Sequence, residues 1–364
     1  MAIRGARLVA LDRVWQDAAA FHAAAARQRH PIGRTAVIAA RPLAASPDTA
    51  APAIIIAGLT HRYGDRTALH GVDLRVARAE IFGVLGPNGG GKTTLFKVLA
   101  TLVAPQEGTV TVLDVDAGRH PDGVRRRLGV VFQHPALDGK LTVLENLHCH
   151  AALYGLGAVE GRTRAAALLE RLGLAERSND YVETLSGGLA RRVELAKGLL
   201  HGPDLVLLDE PSTGLDPGAR RDFFEYLVHL RDREGLTVVL TTHYMEEAER
   251  CDRIGFMHQG RLVAVGAPAE LKAEIGGDVV VVDAIDPERM RGRIQQRFGC
   301  EPRLVDGVLR VELPRGHEFV REVVEAFPGD IRAVTFGKPT LEDVFVHLTG
   351  ERFWADPASP SERA

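Results

Sequence analysis

Cysteine is scarce in this chain of 364 residues. There are three, Cys149, Cys251 and Cys300, and no two of them are close in the sequence. An odd number of widely spaced cysteines favours a reducing compartment over a disulfide framework. Because no CxxC or CxxxC pair is present, a structural zinc site is also disfavoured.

Long apolar runs and an excess of positive charge are missing too. The longest apolar runs, such as DLVLLDE and LTVVLTT, fall well short of the ~20 residues that a membrane helix needs, so we expect that the chain does not span a bilayer. The formal net charge of -3 gives no global reason to expect nucleic acid as a partner. The composition, 45% hydrophobic and 26% charged, is that of a soluble globular protein long enough for two or three domains.

Residues 1 to 52 are rich in alanine and arginine and end in turn-prone sequence. The arginines are compatible with an amphipathic targeting segment, but Asp12, Asp17 and Asp48 and the lack of a cleavage pattern argue against one. We expect a poorly ordered N-terminal extension and assign it no function.

From residue 53 to about 275, short β-branched runs alternate with helical patterns. EIFGVLG precedes KTTLFKVLATL, for example, and DLVLLDE precedes ARRDFFEYLVHLRDRE. This alternation predicts an α/β domain with a largely parallel sheet. Between about residues 134 and 190 the strand patterns stop, which indicates an inserted helical subdomain.

After about residue 276 the pattern changes to strand, helix, strand, strand, helix, strand. This order is compatible with a small ferredoxin-like α+β domain that ends near residue 350. Its last segment, KPTLEDVFVHLTG, predicts a helix with Thr340 as cap, Asp343 at the capping-box position and Gly350 as terminator. We expect residues 351 to 364 to form a flexible tail.

The stretch GPNGGGKTT matches the phosphate-binding pattern G-x-x-x-x-G-K-[ST] and lies between a predicted strand and a predicted helix. Its glycines allow backbone N–H groups to curl around phosphate oxygens, and the helix N-terminus adds a favourable dipole. Lys92 would reach the β- and γ-phosphates, and Thr93 would bind a magnesium ion. The predicted nucleotide-binding residues of this loop are Gly86, Pro87, Asn88, Gly89, Gly90, Gly91, Lys92, Thr93 and Thr94.

The stretch LVLLDEP predicts a buried strand that ends in two acids, an arrangement that is costly unless a positive charge compensates it. A magnesium ion would supply that charge. Asp209 can orient the ion, while Glu210 can polarise the attacking water as a general base.

Three more side chains are candidates for the same site. His243 follows the next predicted strand and could reach the same end of a parallel sheet, where ligands collect. Gln133 also ends a strand and could touch the magnesium ion or the water. Tyr63 precedes the phosphate loop, where its ring could stack on adenine. The ordinary alternatives are a structural histidine, a polar loop residue and a surface tyrosine.

Two other patterns are interpreted as structural. His148 and His150 in HCH do not face each other when they are two residues apart on a helix, which argues against a metal site. The acidic run MEEAER is interpreted as a solvated helix face.

Six motifs occur in the order and spacing of the ATP-binding subunit of an ATP-binding cassette (ABC) transporter: GPNGGGKTT, FQHP, LSGGL, LLDEP, STGLDP and LTTH. The resemblance covers about residues 53 to 275. PTLEDVFVHLTG and the small domain before it resemble the C-terminal extension of daunorubicin-resistance exporter ATPases. VVFQHPALDGKLTVLENL resembles the nodulation-factor exporter ATPases. These two likenesses point to an exporter.

The resemblance implies a sandwich of two ATPase domains, head to tail, that holds ATP and Mg²⁺. The Ser-Gly-Gly of one domain closes over the γ-phosphate held by the other; here these residues are Ser186, Gly187 and Gly188. Gln133 resembles the glutamine that couples the γ-phosphate to the membrane partner. Asp216 resembles the aspartate at the dimer interface, and His243 resembles the switch histidine.

Two positions depart from the family pattern. Leu189 stands where a glutamine is frequent, which puts in doubt only the hydrogen bonds of that glutamine. Gly90 replaces a small side chain, and we expect it to loosen the phosphate loop modestly without removing a phosphate contact.

The resemblance therefore implies a peripheral ATPase at the cytoplasmic face of the cell membrane, a homodimer that drives a separate polytopic permease in export. One alternative is a soluble ABC ATPase that acts on ribosomes or DNA. The single cassette and the lack of a long coiled coil between Lys92 and Ser186 argue against it. A second alternative, a protein that binds ATP without turnover, is disfavoured by the intact Glu210 and His243. Drug, lipid, oligosaccharide and polymer substrates are all compatible.

Overall fold

The computed structural model describes residues 51–134 and 136–353, whose strands form three sheets. The extension predicted over residues 1–52 and the tail predicted over 351–364 thus lie almost wholly outside the described residues. From Ala51 onward the chain groups as one compact unit, and the domain boundary predicted near residue 275 stays a prediction.

The elements are numbered in chain order. The strands are β1 (Ile54–Tyr63), β2 (Arg66–Val76), β3 (Ile81–Leu85), β4 (Glu107–Val112), β5 (Val115–Asp116), β6 (Leu128–Val131), β7 (Leu205–Asp209), β8 (Thr237–Thr242), β9 (Arg253–His258), β10 (Arg261–Gly266), β11 (Asp278–Ala284), β12 (Arg303–Val305), β13 (Val308–Leu313) and β14 (Ile331–Gly337). The helices are α1 (Lys92–Leu99), α2 (Pro121–Arg125), α3 (Val143–Leu153), α4 (Ala158–Arg171), α5 (Gly187–Leu199), α6 (Pro217–Glu234), α7 (Met245–Ala248), α8 (Pro268–Ala273), α9 (Pro287–Phe298), α10 (Gly316–Ala326) and α11 (Leu341–Thr349).

The central sheet has six strands in the order β10-β9-β3-β8-β7-β6. All neighbours in it pair in parallel except β10, which returns antiparallel to β9. Every residue of β3, β7 and β8 is buried, as expected for parallel strands covered on both faces. The predicted parallel α/β core is confirmed, and the carboxyl ends of β3, β7 and β8 lie at one edge.

A second sheet was not anticipated. β1, β2, β4 and β5 form an antiparallel sheet in the order β2-β1-β4-β5. β1 and β2 are joined by a two-residue turn in which Gly64 has a φ of 57°, a value that glycine adopts without strain. The core faces of this sheet and of α1 pack together, with Phe96 and Val112 among the buried side chains.

The stretch predicted as a helical subdomain, residues 134 to 190, contains α3, α4 and the start of α5, which continues to Leu199. These three helices pack against one another. Thr142 begins α3 with a complete capping box, because its hydroxyl accepts from the backbone of Glu145 and the Glu145 carboxylate accepts from Thr142. Val193, Ala196 and Leu199 of α5 are buried, so the apolar stripe of this helix is core.

The C-terminal elements follow the order β11-α9-β12-β13-α10-β14, and their strands form an antiparallel sheet ordered β12-β13-β11-β14. The sheet and its two helices enclose a core of their own, centred on Val280, Leu309 and Phe319. The succession of strands and helices in this region is the one that the sequence pattern predicts.

The final helix, α11, begins and ends as predicted. Thr340 caps it in a capping box with Asp343, and Gly350 closes it with a φ of 74°. Its packing was not expected, because Phe345 is buried against Phe256 of β9, at 5.9 Å between ring centroids, rather than in the core of the preceding small sheet. The helix therefore belongs by its packing to the core of the α/β domain.

Candidate nucleotide site

The phosphate loop connects β3 to α1, as predicted. Gly89 has a φ of 80° and Gly91 a φ of 109°, conformations that favour glycine. Gly91 caps α1 without any side-chain cap, so the first turn presents backbone N–H groups. A Cβ on Gly86 would lie 2.2 Å from the carbonyl oxygen of Met257 in β9, which shows that the loop is pressed against that strand.

Gly90 is more constrained than we expected from the sequence. A Cβ at this position would lie 3.0 Å from the Met257 oxygen and 3.1 Å from the Pro87 oxygen. The Gly90 carbonyl also accepts a hydrogen bond of 2.8 Å from the Gly260 N–H, in the turn between β9 and β10. The tight contacts and this hydrogen bond fix the backbone of the loop at Gly90, although a glycine without such contacts would make it more flexible.

Lys92 lies inside the loop that it follows. Its ammonium group donates to the carbonyl oxygens of Gly86, at 2.7 Å, and Pro87, at 3.2 Å, and its side chain is 5% exposed. Burial lowers the pKa of Lys92, while the nearby Glu210 and Asp209 carboxylates act in the opposite direction. The loop thus carries a desolvated positive charge at its centre.

Asp209 and Glu210 follow one another at the end of β7. Asp209 is 6% exposed, and burial raises its pKa, an effect that the 2.5 Å hydrogen bond from the Thr241 hydroxyl partly offsets. Glu210 has a φ of 45°, a strained value for a residue with a side chain. Its N–H donates to the carbonyl and the hydroxyl oxygens of Thr241. The end of β8 therefore holds both acids.

The Glu210 carboxylate is the meeting point of three predicted site residues. Gln133 Nε2 donates to Glu210 Oε2 at 3.1 Å, and His243 Nδ1 lies 3.3 Å from the same oxygen. Lys92 Nζ is 3.8 Å from the other oxygen. Residues from three other stretches of sequence thus converge on this one carboxylate.

The structure places Ser186, Gly187 and Gly188 at the start of α5. Ser186 caps that helix, and its hydroxyl accepts from the Leu189 N–H at 3.4 Å, while the side chain is exposed. Leu189 is half-buried against the core that α5 shares with the central sheet. Ser186 and Gly187 of this Ser-Gly-Gly signature motif thus face solvent. In the part of the chain that the structure describes, no hydrogen bond joins the motif to the phosphate loop.

Asp216 caps α6 by accepting from the N–H groups of Gly218 and Ala219, both at 3.0 Å. A Cβ on Gly188 would lie 3.3 Å from the Ala219 side chain. The signature motif and the Asp216 turn are therefore neighbours on one surface.

Tyr63 ends β1, and its side chain is 48% exposed. Arg66, which pairs with it across the β1–β2 turn, brings Nη2 to 4.0 Å from the position that a Cβ on Gly89 would occupy. The turn therefore lies beside the phosphate loop. Thr93 and Thr94 lie in the first turn of α1, with Thr93 exposed, and Asn88 is also exposed in the loop.

Three side chains near the site were not predicted from the sequence. Thr241 links the two acids, and Arg191 of α5 hydrogen bonds to backbone on both sides of Glu210. The third is Glu247, which belongs to the acidic run MEEAER that was expected to be solvated. It is 3% exposed and accepts from the hydroxyls of Ser212 and Thr242, so that expectation is wrong for this residue. No local motif signals these roles, since each depends on a partner far away in the sequence.

Comparison with known proteins agrees with this arrangement. The profile of the family described as ABC transporter matches residues 69–213, and a shorter match to an AAA domain spans residues 186–247. The daunorubicin resistance ATP-binding protein DrrA3 of Streptomyces coeruleorubidus is 42% identical over 82% of this chain and 96% of its own length. The chain belongs to the ATP-binding proteins of ABC transporters.

Other members of the family are similar over comparable lengths. The Nod factor export ATP-binding protein I of Ralstonia nicotianae is 42% identical over 82% of this chain and 94% of its own length. Among solved structures, cbiO1 of Clostridium perfringens, part of the ABC transporter complex cbiONQ, superposes with a TM-score of 0.58 at 27% identity. It covers 68% of this chain and 96% of its own.

A dimeric ATP-binding cassette in a post-hydrolysis state, bound to ADP and Pi, superposes with a TM-score of 0.54 at 28% identity. It covers 59% of this chain and 98% of its own. This ABC protein is thus an ATPase that binds ATP and Mg²⁺. Among its described helices, none has the length and apolar content that crossing a membrane requires.

The residues of the site fit these ligands. The glycine loop, the uncapped start of α1 and the buried Lys92 suit phosphate groups. Thr93, Gln133 and Asp209 offer hydroxyl, amide and carboxylate oxygens, the donors that magnesium prefers. Asp209 is a buried acid whose pKa burial raises, so a nearby cation would stabilise its charged form.

Proposed function

We propose that this ATPase powers export through a separate membrane permease. Relatives named for daunorubicin resistance and for Nod factor export match it over more than nine-tenths of their own length. Each match covers 82% of this chain, a larger share than the predicted ATPase domain occupies. The similarity to exporter ATPases thus includes sequence outside the nucleotide site and favours transport over a role on ribosomes or DNA.

The observation that carries the assignment of hydrolysis is the convergence of Gln133, His243 and Lys92 on Glu210. We assign Glu210 as the general base that takes a proton from the attacking water. Gln133 and His243 would orient its carboxylate and hold the water in line. The side chain of Glu210 is only 12% exposed, so few other water molecules can compete with the attacking water for its carboxylate.

The phosphate loop and its neighbours would bind the nucleotide. Backbone N–H groups of the phosphate loop, from Gly86 to Thr94 except Pro87, and the Lys92 ammonium group would hold the phosphates. The Tyr63 ring would stack on the adenine. Thr93, Gln133 and Asp209 would hold Mg²⁺, which when bound neutralises negative charge on the phosphates. Since Lys92 now donates to carbonyls of its own loop, nucleotide binding would exchange those partners for phosphate oxygens.

The second half of each site would come from a second copy of the chain. Ser186 and Gly187 are exposed at the start of α5, and the half-buried Gly188 lies adjacent to the Asp216 turn. A hydroxyl, unobstructed backbone N–H groups and a helix N-terminus together make a cap for a γ-phosphate. We infer that two copies close head to tail, as a homodimer, and that the ATPase domain responsible spans residues 53–275, with residues 276–350 as an accessory domain.

We place the dimer on the cytoplasmic face of the cell membrane, bound to a polytopic permease. The full-length protein, tagged and purified from detergent-solubilised membranes, should retain a polytopic membrane protein. Its ATPase rate should change when that partner is stripped away at high detergent. Recovery with ribosomes alone, or with nucleic acid alone, would contradict the proposal and favour the soluble alternative.

A further inference from the structure

Arg191 lies on α5, one helical turn after the Ser-Gly-Gly motif, and is 7% exposed. Its guanidinium group makes four hydrogen bonds. Nε donates to the Pro211 carbonyl at 2.7 Å, and Nη2 donates to the Asp209 carbonyl at 3.1 Å. Nη1 donates to the Phe132 carbonyl at 2.6 Å and to the Glu194 carboxylate at 2.9 Å.

The three carbonyls flank the residues assigned to hydrolysis. Phe132 directly precedes Gln133, and Asp209 and Pro211 lie on either side of Glu210. One guanidinium group therefore holds the backbones of the two segments whose side chains meet in the Gln133–Glu210 hydrogen bond. A shift of this group would change the distance between those two side chains.

The same helix also holds the segment that follows Gln133. Glu194, which is 3% exposed, accepts from the Ala136 N–H at 2.5 Å as well as from Arg191. Lys197 donates to the Ala136 carbonyl at 2.6 Å. Side chains of α5 thus form hydrogen bonds with the backbone on both sides of Gln133, at Phe132 and at Ala136.

Arginine suits this position and lysine does not. Its planar fork carries five N–H donors and can bond several acceptors in fixed directions, whereas an ammonium group is a point charge. Burial lowers the pKa of Arg191, and the Glu194 carboxylate opposes that effect, so the buried charge is compensated in place.

We propose that Arg191 is a positioning residue that links the two nucleotide sites of the dimer through each protomer. The inference rests on the proposed head-to-tail dimer, in which Ser186 at the start of α5 touches the nucleotide of the partner copy. Five residues further along the same rigid helix, Arg191 holds the backbone around Glu210 and Gln133 of its own site. Engagement of the signature motif at one site is thereby transmitted to the general base of the other.

The test uses the full-length Arg191→Lys variant, with Arg177→Lys as matched control. Arg177 lies in the same helical part of the chain, and its side chain is 53% exposed and pairs with Asp180. In Arg191→Lys we expect kcat to fall at least about 10-fold, since small misplacement of catalytic groups is costly. The Hill coefficient for ATP should move towards 1, while the monomer's Kd for ATP stays within about twofold. The control should match the wild type in all three measurements.

A purely structural role predicts a different result. A lower Tm with kcat and Hill coefficient unchanged in the folded fraction would overturn the proposal. If Arg191→Lys does not fold, Glu194→Gln replaces it, because it weakens the hold on the guanidinium group while keeping a hydrogen-bonding side chain. The same three measurements then decide.

The Glu210→Gln variant distinguishes an error in the proposed dimer from an error in the proposed role of Arg191. If that variant forms an ATP-dependent dimer but Arg191→Lys keeps full cooperative turnover, only the link through Arg191 is wrong. If Glu210→Gln stays monomeric with saturating ATP, the sandwich is wrong, and the inference falls with it.

Discussion

The Thr241 hydroxyl donates a 2.5 Å hydrogen bond to Asp209, and the same oxygen accepts the N–H of Glu210 at 3.0 Å. One side chain at the end of β8 thus ties together both acids at the end of β7. Because Asp209 is buried, this donor is one of the few groups that stabilise its charged form.

Replacing Thr241 with valine removes that hydroxyl, so the carboxylate of Asp209 loses the hydrogen bond that it accepts from it. We expect the free energy of unfolding to fall by about 1–3 kcal/mol and the ATPase rate to drop with it. Urea unfolding and steady-state turnover measure the two effects. Thr237→Val is the control on the same strand: its hydroxyl accepts from the Ala79 N–H at the opposite end, so stability should fall while turnover per folded molecule is kept.

Glu210→Gln is expected to abolish steady-state hydrolysis while it traps an ATP-bound dimer. Glutamine keeps the size of the side chain but cannot accept a proton from water. Phosphate release and light scattering with ATP and Mg²⁺ report the two outcomes. Glu225→Gln makes the same change at a position that is 62% exposed on α6 and should leave both unaltered. Near-normal turnover in Glu210→Gln would rule out this residue as the general base.

Ser186→Arg should block hydrolysis without weakening ATP binding by the monomer, because the exposed Ser186 would act on the nucleotide of the partner copy. Loss of the helix cap adds up to ~1 kcal/mol of destabilisation, which a thermal melt will detect. ATP affinity is measured by titration at a protein concentration at which the wild type is monomeric. Asn179→Arg, an exposed site in the same helical part, is the control. An equal loss of monomer affinity would show that the cap acts within one chain.

Tyr63 offers a test of adenine recognition. Tyr63→Leu should raise the Kd for ATP roughly 5- to 100-fold, the loss expected for one base-stacking ring, and Tyr63→Phe should bind normally. Inorganic triphosphate has no base, so its affinity should be the same in all variants. Tyr181→Leu removes another exposed tyrosine, in the helical subdomain, and serves as control. If triphosphate binding weakened as much as ATP binding, the ring would be acting on the loop rather than on the base.

We predict that His150, on α3, makes the stability of the folded protein sensitive to acid. Burial, with a smaller contribution from Lys197, lowers its pKa from 6.5 to about 3. Because the unfolded state binds this proton more readily, His150 lowers stability as the pH falls from 6.5 towards 3, by at most ~1.4 kcal/mol per pH unit.

His150→Gln removes this titration. We therefore expect the variant to lose less stability than the wild type between pH 7 and pH 4, as followed by urea unfolding at each pH. His120→Gln, an exposed histidine at the start of α2, is the control and should follow the wild type. Parallel pH profiles for His150→Gln and the wild type would contradict the lowered pKa.

Sequence patterns were sufficient to predict features that depend only on interactions between residues close together in the chain. The phosphate loop needs glycines followed by a helix start, and the cap of α11 needs Thr340, Asp343 and Gly350 in succession; both can be recognised without knowledge of the rest of the fold. The antiparallel sheet of β1, β2 and β4 was not predicted, because β1 pairs with a strand that follows the phosphate loop and α1. Glu247 was misjudged for a related reason, since only its distant partners show that it is buried.

The nature of the protein as an ABC ATPase follows from ordered motifs that any reader of the chain can find, because phosphate binding requires specific residue types at fixed short spacings. The convergence of Gln133, Lys92 and His243 on Glu210 required the parallel order of β3, β8, β7 and β6, which brings their carboxyl ends to one edge. The hydrogen bonds from Arg191 to three backbone carbonyls depended on how α5 packs against that edge. Such contacts involve backbone atoms, which every residue possesses, and so they leave no signature in the sequence.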